Sequence, residues 1–249
     1  MFSQEIQFIA PTEVVMDKES NPAPIKLFIP QWYKDITGKT ETIKTCMPFL
    51  DSLSTGYGLR TSSQLFFHHN YKEWDKEGDY KTRMACPFQK GADLLNEKHI
   101  NVNKDEEANH PRWQLEGSPL LDKNGNQHIL KILYPFRIVT PKGYSCLFLP
   151  PMNNGNDYFS IIPGIVDTDD YDMEINFPLI VNHDKYQSFE TTVPKGSLFA
   201  QCIPFKRESW KHKVVIEEKD NKKYNYAYKW MAWLKHGYKA ISWNKKNFN

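Results

Sequence analysis

Apolar runs of strand length, separated by proline and glycine, recur along the second half of the chain. The sequence PKG precedes one such run, and NNGND separates it from the next. Short runs bounded by turn residues of this kind predict β-strands. The predicted strands lie at 136–140, 144–149, 158–162, 175–181, 189–193 and 198–204. Their alternation predicts a set of core side chains, which comprises Tyr144, Leu147, Ile165, Phe177, Leu198 and Ile203.

Apolar residues recur at helical spacing only near the end of the chain. Ala227, Met231 and Leu234 follow the i, i+4, i+7 pattern within residues 222–236, which predicts a C-terminal helix. Gly237 stands where such a helix would end, since glycine is common just after a helix C-terminus.

The remaining segments are less regular. Apolar stretches at 5–10, 25–29 and 214–216 predict further short strands. Residues 70–111 form the most polar region, and we interpret them as a loop inserted on a β scaffold because they are too few for a core of their own.

The length and composition favour one domain. The chain has 249 residues, of which 40% are hydrophobic, and all-β folds of this size often form a single core. We therefore predict one domain over residues 1–249. Its main β part would span about 45–205, with the insertion near 70–111 and a basic, aromatic-rich extension at 206–249.

The cysteines and the apolar runs indicate in which cellular compartment the protein is located. Cys46, Cys86, Cys146 and Cys202 show neither metal-ligand nor redox spacing, so we expect reduced thiols and no metal site. The first residues lack the pattern of a signal peptide, and no apolar run is long enough to span a membrane. The prediction is an intracellular protein, neither secreted nor bound to a membrane.

The extension is the most charged part of the chain. Residues 206–249 contain twelve Lys and Arg against four Asp and Glu, and aromatic residues alternate with the lysines. Such a segment can bind nucleic acid, because aromatic rings stack on bases while lysines contact phosphates. The same pattern also fits a helix that packs its rings on the core and solvates its lysines, and the sequence leaves both interpretations open.

An acidic turn stands between two predicted strands. In GIVDTDDY (164–171), Gly164 permits close backbone approach as the strand enters the turn. Asp167 and Asp169 can accept hydrogen bonds from backbone N–H groups and so shape the turn. The residues alone therefore explain this stretch without any catalytic role.

Three short sequence segments occur in a particular order along the chain. These are STGYGLRTS (54–62), GIVDTDDY and KGSLFAQ (195–201). In this order they resemble the motifs of the dUTPase and dCTP-deaminase superfamily, whose members are β-clip barrels. A closer resemblance, carried by TCMPFLDSLSTGYG, TPKGYSCLFLPPMN and IPFKRESW, is to a phage-encoded family with no established activity, found largely in phages of aquatic bacteria.

The resemblance implies a fold and a site. The implied fold is a mostly β, dUTPase-like β-clip barrel with the inserted polar loop region and the C-terminal helix. Asp167 matches the aspartate that activates water in dUTPases, and Tyr171 matches the tyrosine behind the deoxyribose. The other implied nucleotide-binding residues are Gly164, Ile165, Asp169 and Gln201. The resemblance further implies a homotrimer, located in the host-cell cytoplasm or in a virion.

The departures from the superfamily concern its phosphate-binding groups. Where the superfamily has Pro-Arg-Ser, this chain has Pro150, Pro151 and Met152, and Gly58 replaces an aspartate. The hairpin is also one residue longer at Asp170. A triphosphate requires several charge-assisted bonds, so we predict a phage-type, non-catalytic binding or assembly module with a vestigial nucleotide pocket.

Two alternatives remain. One is a divergent nucleotide pyrophosphatase or deaminase that uses Asp167 and takes its cations from Arg60, Lys206 or Arg207. The other is a virion structural or decoration protein. No cofactor is expected, and Mg²⁺ would be needed only if the protein acts on nucleotides. The predicted partners are further copies of the chain, a nucleotide, a phage or host protein, or nucleic acid through the extension.

Overall fold

Strands make up most of the regular structure. The computed structural model describes residues 4–37, 42–74, 80–85, 109–110, 112–120, 129–216, 226, 229–230 and 237–249. In chain order the strands are β1 (Gln7–Ile9), β2 (Ala23–Pro24), β3 (Tyr57–Arg60), β4 (Leu65–Trp74), β5 (Tyr80–Ala85), β6 (Asn109–His110), β7 (Ile129–Val139), β8 (Tyr144–Leu149), β9 (Phe159–Ile161), β10 (Gly164–Val166), β11 (Glu174–Val181), β12 (Ser188–Val193) and β13 (Leu198–Lys206). The mostly β fold class is therefore confirmed.

Besides the helical residues Tyr226, Lys229 and Trp230, the described residues form only short helices. They are α1 (Thr12–Met16), α2 (Gln31–Asp35), α3 (Met47–Ser54) and α4 (Gly237–Ile241), with 3-10 helices at Ile25–Phe28, Ile43–Thr45 and Arg112–Leu115. The strand predicted at 25–29 is thus wrong. Pro24 and Pro30 bound this segment, and one tight turn buries Ile25 while Leu27 stays 65% exposed.

The strands of the described residues pair antiparallel in three sheets. Sheet A has the order β1-β7-β11-β9, with β6 also paired to β7, and sheet B has the order β10-β8-β13-β3-β2. Sheet C has the order β12-β4-β5. The sequence places β4 and β5 partly inside the predicted insertion, but both strands belong to sheet C, so that region begins as paired strand rather than as loop.

Aromatic side chains join sheets A and B. Tyr134 and Phe177 from sheet A contact Phe199 from sheet B with ring centroids 5.5 and 5.4 Å apart. Phe148 of sheet B packs edge-on against Phe177 at 5.3 Å. These rings are almost fully buried, and burial of large rings is the main source of stabilisation in a β core.

Five of the six predicted core residues lie in sheet B, and Phe177 lies in sheet A. Phe177 is buried, while Tyr144, Leu147, Leu198 and Ile203 are partly buried. Ile165 is 64% exposed, so its prediction as a core residue is wrong. It pairs with Leu147 on the outer face of edge strand β10, whereas Cys146, Phe148 and Cys202 occupy the inner face.

The C-terminal predictions have mixed outcomes. Most of the helix predicted at 222–236, including Ala227, Met231 and Leu234, lies outside the described residues. Gly237 lies within α4, so the prediction that a helix ends there is wrong. Residues 214–216 are exposed and lie in no strand, so the strand predicted there is wrong.

No helix within the described ranges is long and apolar enough to cross a membrane.

His69 is a buried titratable group in the middle of β4. Only 1% of its surface is exposed, and its Nδ1 lies 2.7 Å from the hydroxyl oxygen of Thr82. Burial, together with the nearby His183 and His68, lowers the pKa of His69 to about 4, compared with an ordinary value of 6.5. The ring is therefore neutral at pH 7.

We expect the protein to lose stability as the pH falls from about 6.5 to about 4. Because folding lowers the pKa of His69, the stabilisation from its neutral ring is complete above the unfolded-state pKa and is lost on acidification, by about 2–3 kcal/mol. Urea unfolding at several pH values measures this loss. His69→Gln should flatten the slope, and His68→Gln, at a partly exposed neighbour, should retain it. Equal slopes in wild type and His69→Gln would contradict the assignment.

Candidate functional site

The acidic turn joins β10 to β11 and is closed by its own backbone. The carbonyl of Asp167 accepts hydrogen bonds from the N–H groups of Asp170 at 3.0 Å and Tyr171 at 2.9 Å. Thr168 is buried beneath the turn, where its hydroxyl lies 2.7 Å from that of Thr140. The turn is therefore anchored to the end of β7 by a buried pair of hydroxyls.

Asp169 is the most completely bonded carboxylate of the turn. Its Oδ2 accepts a hydrogen bond from the N–H of Gly143 at 2.7 Å. Arg207 donates from Nη1 to Oδ1 at 2.8 Å and from Nη2 to Oδ2 at 2.5 Å. None of the Asp169 side chain is exposed, and the Arg207 guanidinium holds the pKa of this carboxyl well below its ordinary value.

Asp167 shares the same arginine but faces solvent. Its Oδ1 accepts a hydrogen bond from the Ser145 hydroxyl at 2.7 Å and lies 3.2 Å from Nη1 of Arg207. Arg207 also donates to Ser145 Oγ and to the Tyr144 carbonyl, each at 3.0 Å. About two thirds of the Asp167 side chain remains exposed, at 64%, so this carboxylate can still accept a bond from water or a ligand.

The other acids of the turn also have basic partners. Lys142 Nζ lies 2.6 Å from Asp170 Oδ1, and Arg137 Nη1 lies 2.5 Å from Asp172 Oδ1. Both carboxylates are largely exposed, which limits what each pair contributes to stability. The arrangement compensates the negative charge of the turn within the chain.

The predicted nucleotide-binding residues fall into two places. Gly164, Ile165 and Tyr171 lie on the exposed surface of the hairpin beside Asp167 and Asp169. Nothing lies within 4 Å of where a Gly164 side chain would be. The surface around them is open, and any ligand would have to bind on it rather than inside a closed cavity.

Gln201 lies apart from this group. It pairs with Leu149 on β8, whereas Asp167 contacts Ser145, four residues along the same strand. At a rise of about 3.3 Å per residue, roughly 13 Å separates the two positions. Gln201 is fully buried.

The Gln201 amide bonds to three backbone groups of its own chain. It donates to the carbonyls of Ser52 at 3.1 Å and Thr55 at 2.7 Å, and it accepts from the N–H of Met152 at 2.9 Å. It therefore connects β13 to the end of α3 and to the loop after β8.

That loop holds Pro150, Pro151 and Met152, which stand where the sequence resemblance predicts a phosphate-binding motif. Pro151 is buried, and the N–H of Met152 is bonded to Gln201. The amide of Asn153 donates to Ser52 Oγ at 2.8 Å, and that of Asn154 donates to the Phe28 carbonyl at 2.8 Å. The polar groups of this loop bind neighbouring parts of the chain.

Of the three predicted phosphate-binding cations, Arg60, Lys206 and Arg207, only Arg207 contacts the acidic turn among the described residues. Arg60 donates to the carbonyls of Asn21 and Lys18 at the other side of sheet B, and Lys206 pairs with Glu208 at 3.0 Å. The sequence motifs did not identify Thr140, Gly143 and Ser145, which position the turn. Ser145 lies in β8, the strand that pairs with β10, and Gly143 directly precedes that strand. The strand pairing that brings both residues to the turn is not visible in the sequence.

No group of three or more metal-binding side chains occurs among the residues that the structure describes.

Comparison with known proteins gives one informative result. No protein-family model matches the chain, and no curated protein matches it. Among solved structures, the chain is similar to a dUTPase of Staphylococcus bacteriophage 80alpha, a mutant solved with dUpNHpp. The similarity covers 88% of this chain and 92% of that chain, with 10% identity and a TM-score of 0.33. At that identity and TM-score, the similarity assigns neither an activity nor a ligand to this chain.

Proposed function

We propose that this protein is a phage-type, non-catalytic binding or assembly module on a dUTPase-like β scaffold. The observation that carries the proposal is the bonding of the acidic turn. Asp169 is covered and paired bidentately with Arg207, and the same guanidinium faces Asp167. A general base must be free to take a proton from water, which Asp169 is not. Asp167 stays exposed, but the arginine that it faces is already bonded to Asp169.

The lack of uncommitted cations near the acidic turn supports the same proposal. A triphosphate brings several negative charges, which fixed cations, N–H groups or a metal must stabilise. Arg207 is already bonded bidentately to Asp169, so a phosphate would have to compete with that carboxylate for the guanidinium. At Pro150 and Pro151 there is neither a charge nor a backbone donor.

A weak nucleotide-binding surface is part of the proposal. Gly164, Ile165 and Tyr171 present an open hairpin edge, and the exposed oxygen of Asp167 can accept a ligand hydroxyl. Such a surface would use Asp169 only indirectly, through the shape of the turn. No cofactor is required, and Mg²⁺ would enter only with a nucleotide.

The proposed function also includes self-association. We propose a homotrimer in the host cytoplasm or virion, as the resemblance to dUTPases implies, with further phage or host proteins as additional partners. Light scattering at micromolar concentration measures the mass, and a value equal to one chain of 29.3 kDa would contradict the trimer.

The divergent enzyme is the second candidate. It is favoured by one observation, the 3.2 Å approach of Arg207 to Asp167, which places a cation where a phosphate could approach. The virion decoration protein remains a third proposal and would be supported by finding the chain in purified particles.

Purified protein is expected to hydrolyse dUTP, dCTP and dTTP in Mg²⁺ far more slowly than a working nucleotide hydrolase, whose turnover is typically about 1 per second or more. The assay compares wild type with Asp167→Asn and with the matched variant Asp157→Asn, since Asp157 is an exposed acid that pairs with Lys185 away from the turn. Turnover near 1 per second that disappears in Asp167→Asn but persists in Asp157→Asn would establish the enzyme instead.

A further inference from the structure

Three aromatic side chains meet where edge strand β9 of sheet A approaches edge strand β12 of sheet C. Tyr158 directly precedes β9, Tyr186 lies in the loop before β12, and Phe189 lies in β12. The Tyr158 ring is stacked on Tyr186 with centroids 5.4 Å apart and lies 5.1 Å from Phe189, and Tyr186 lies 6.1 Å from Phe189. All three side chains are partly exposed. We call these three residues the aromatic cluster.

The two loops that carry the aromatic cluster are fixed by hydrogen bonds. The N–H of Asn182 donates to the Tyr158 carbonyl at 2.8 Å, and its side-chain amide donates to the Asp157 carbonyl at 2.9 Å. The Asn182 carbonyl accepts the N–H groups of Lys185 and Tyr186, each at 3.1 Å. The rings are therefore held in place before a ligand binds, and such preorganisation lowers the cost of binding.

A charged pair borders the ring of Tyr186. The Nζ of Lys185 lies 5.3 Å from the centroid of this ring. Lys185 also pairs with Asp157, and the Tyr186 hydroxyl donates to the same carboxylate, which holds the ring in position. One face of the Tyr186 ring is stacked on Tyr158, so the ammonium marks the other face. Because an ammonium has three donors and the Lys185 side chain is 54% exposed, Lys185 can also bond to a ligand.

The charges of these two loops narrow the class of ligand. In residues 156–158 and 182–187 the acids are Asp157 and Asp184, which are 52% and 98% exposed, and the lysine is Lys185. A phosphate would meet two carboxylates here, although phosphate groups bind where several charge-assisted donors converge. A cationic ligand would compete with the Lys185 ammonium for the ring. A neutral ligand avoids both penalties.

A sugar in its pyranose form is a neutral ligand whose two sides match these groups. The C–H groups on one side of the sugar ring form an apolar face that can pack flat on an aromatic ring. The hydroxyls at its rim both donate and accept hydrogen bonds, so they can bond to an ammonium without carrying charge. The exposed contact between Lys185 and the Tyr186 ring is of a weak kind, so the ammonium can move from the ring face to its edge.

We propose that the aromatic cluster binds a neutral saccharide, with a pyranose ring stacked on Tyr186 and one of its hydroxyls bonded to Lys185. The cluster lies at the end of β11 that is remote from the acidic turn. β11 has eight residues, so its two ends are roughly 23 Å apart at about 3.3 Å per residue. The saccharide site is therefore distinct from the nucleotide-binding surface proposed above and does not depend on it.

The test is a titration of the full-length chain with methyl glucopyranoside and with methyl galactopyranoside, followed by protein NMR. At an ordinary ligand efficiency, a molecule of about 13 non-hydrogen atoms binds with a dissociation constant of about 1 mM. We expect saturable shifts at this level for at least one of the two epimers. Sorbitol has similar hydroxyls but no ring, so it should give no saturable shift.

Two substitutions of Tyr186 separate the flat ring from apolar bulk. Tyr186→Phe keeps the ring and should bind within about threefold of wild type, whereas Tyr186→Leu should bind at least about 10-fold more weakly. Both variants lose the hydroxyl bond to Asp157, so the difference between them reports the ring face alone. The control is Tyr238→Leu, at a tyrosine that is 43% exposed in α4, and it should bind as wild type does.

Three results would overturn the saccharide site. The first is the absence of saturation with either saccharide at concentrations about tenfold above the expected constant. The second is equal saccharide binding by Tyr186→Phe and Tyr186→Leu. The third is saturable binding of adenosine but of neither saccharide, which would make the aromatic cluster a base-stacking site instead. The hydrolysis assay and the mass measurement are independent of all three, so such a failure would leave the proposed function standing.

Discussion

Gly56→Ala is expected to lower the free energy of unfolding by at least about 4 kcal/mol. Gly56 has a φ of 85°, and an added Cβ would lie 2.2 Å from the carbonyl oxygen of Cys202 and 3.0 Å from Cγ1 of Ile203. The oxygen belongs to β13 and cannot move without disturbing its pairing. The carbonyl of Gly56 also accepts the N–H of Ile25 at 3.0 Å, which holds the residue in place.

Gly143→Ala is the matched control for this effect. Gly143 has nearly the same φ, 86°, but nothing lies within 4 Å of an added Cβ. The Gly143→Ala variant should therefore lose only the unfolding free energy that a left-handed backbone costs a non-glycine residue, about 1–2 kcal/mol. Urea unfolding of both variants separates steric overlap from backbone strain. Losses that agree within about 1 kcal/mol would contradict the overlap at Gly56.

Gln201→Leu is expected to cost about 2–4 kcal/mol of unfolding free energy. The substitution removes three hydrogen bonds and leaves the Met152 N–H and the Ser52 and Thr55 carbonyls without their partner. Unsatisfied buried backbone groups are costly because water cannot replace the lost bonds.

Gln187→Leu provides the comparison, since Gln187 is exposed beside β12. It should change stability by less than about 0.5 kcal/mol. A Gln201→Leu variant as stable as Gln187→Leu would mean that the amide does not support the fold. In that case the nucleotide-binding role predicted for Gln201 from the sequence would become the better explanation of the residue.

The sequence predicted the strands of the central sheets because their signal is local. β8, β11 and β13 each appear as an apolar run bounded by turn residues. The face of the sheet that each side chain occupies is harder to predict from the sequence, since both faces of sheet B carry apolar residues. Ile165 was therefore assigned to the core although it lies on the outer face of an edge strand.

The sequence predicts only part of the candidate site. Asp167 and Asp169 stand in a recognisable hairpin motif, so their place in a turn followed from the residues. Their partner Arg207 lies 38 residues beyond Asp169. It reaches the turn because the register of β13 on β8 pairs Lys206 with Tyr144, and no local pattern encodes that register.

The exposed residues 207–216, which lie in no helix or strand, have a consequence for how the chain tolerates cleavage. Further along, the described chain is again attached to the body at Trp243, whose indole donates to Asp51, and at Phe248, whose ring packs against Tyr57. Lys246 adds an ion pair to Asp51 at 2.7 Å. A protease that cuts after Lys211 or Lys213 would therefore produce two fragments that stay together in native buffer. They would separate only in denaturant, so a nicked preparation would keep its native mass while showing two bands on a denaturing gel.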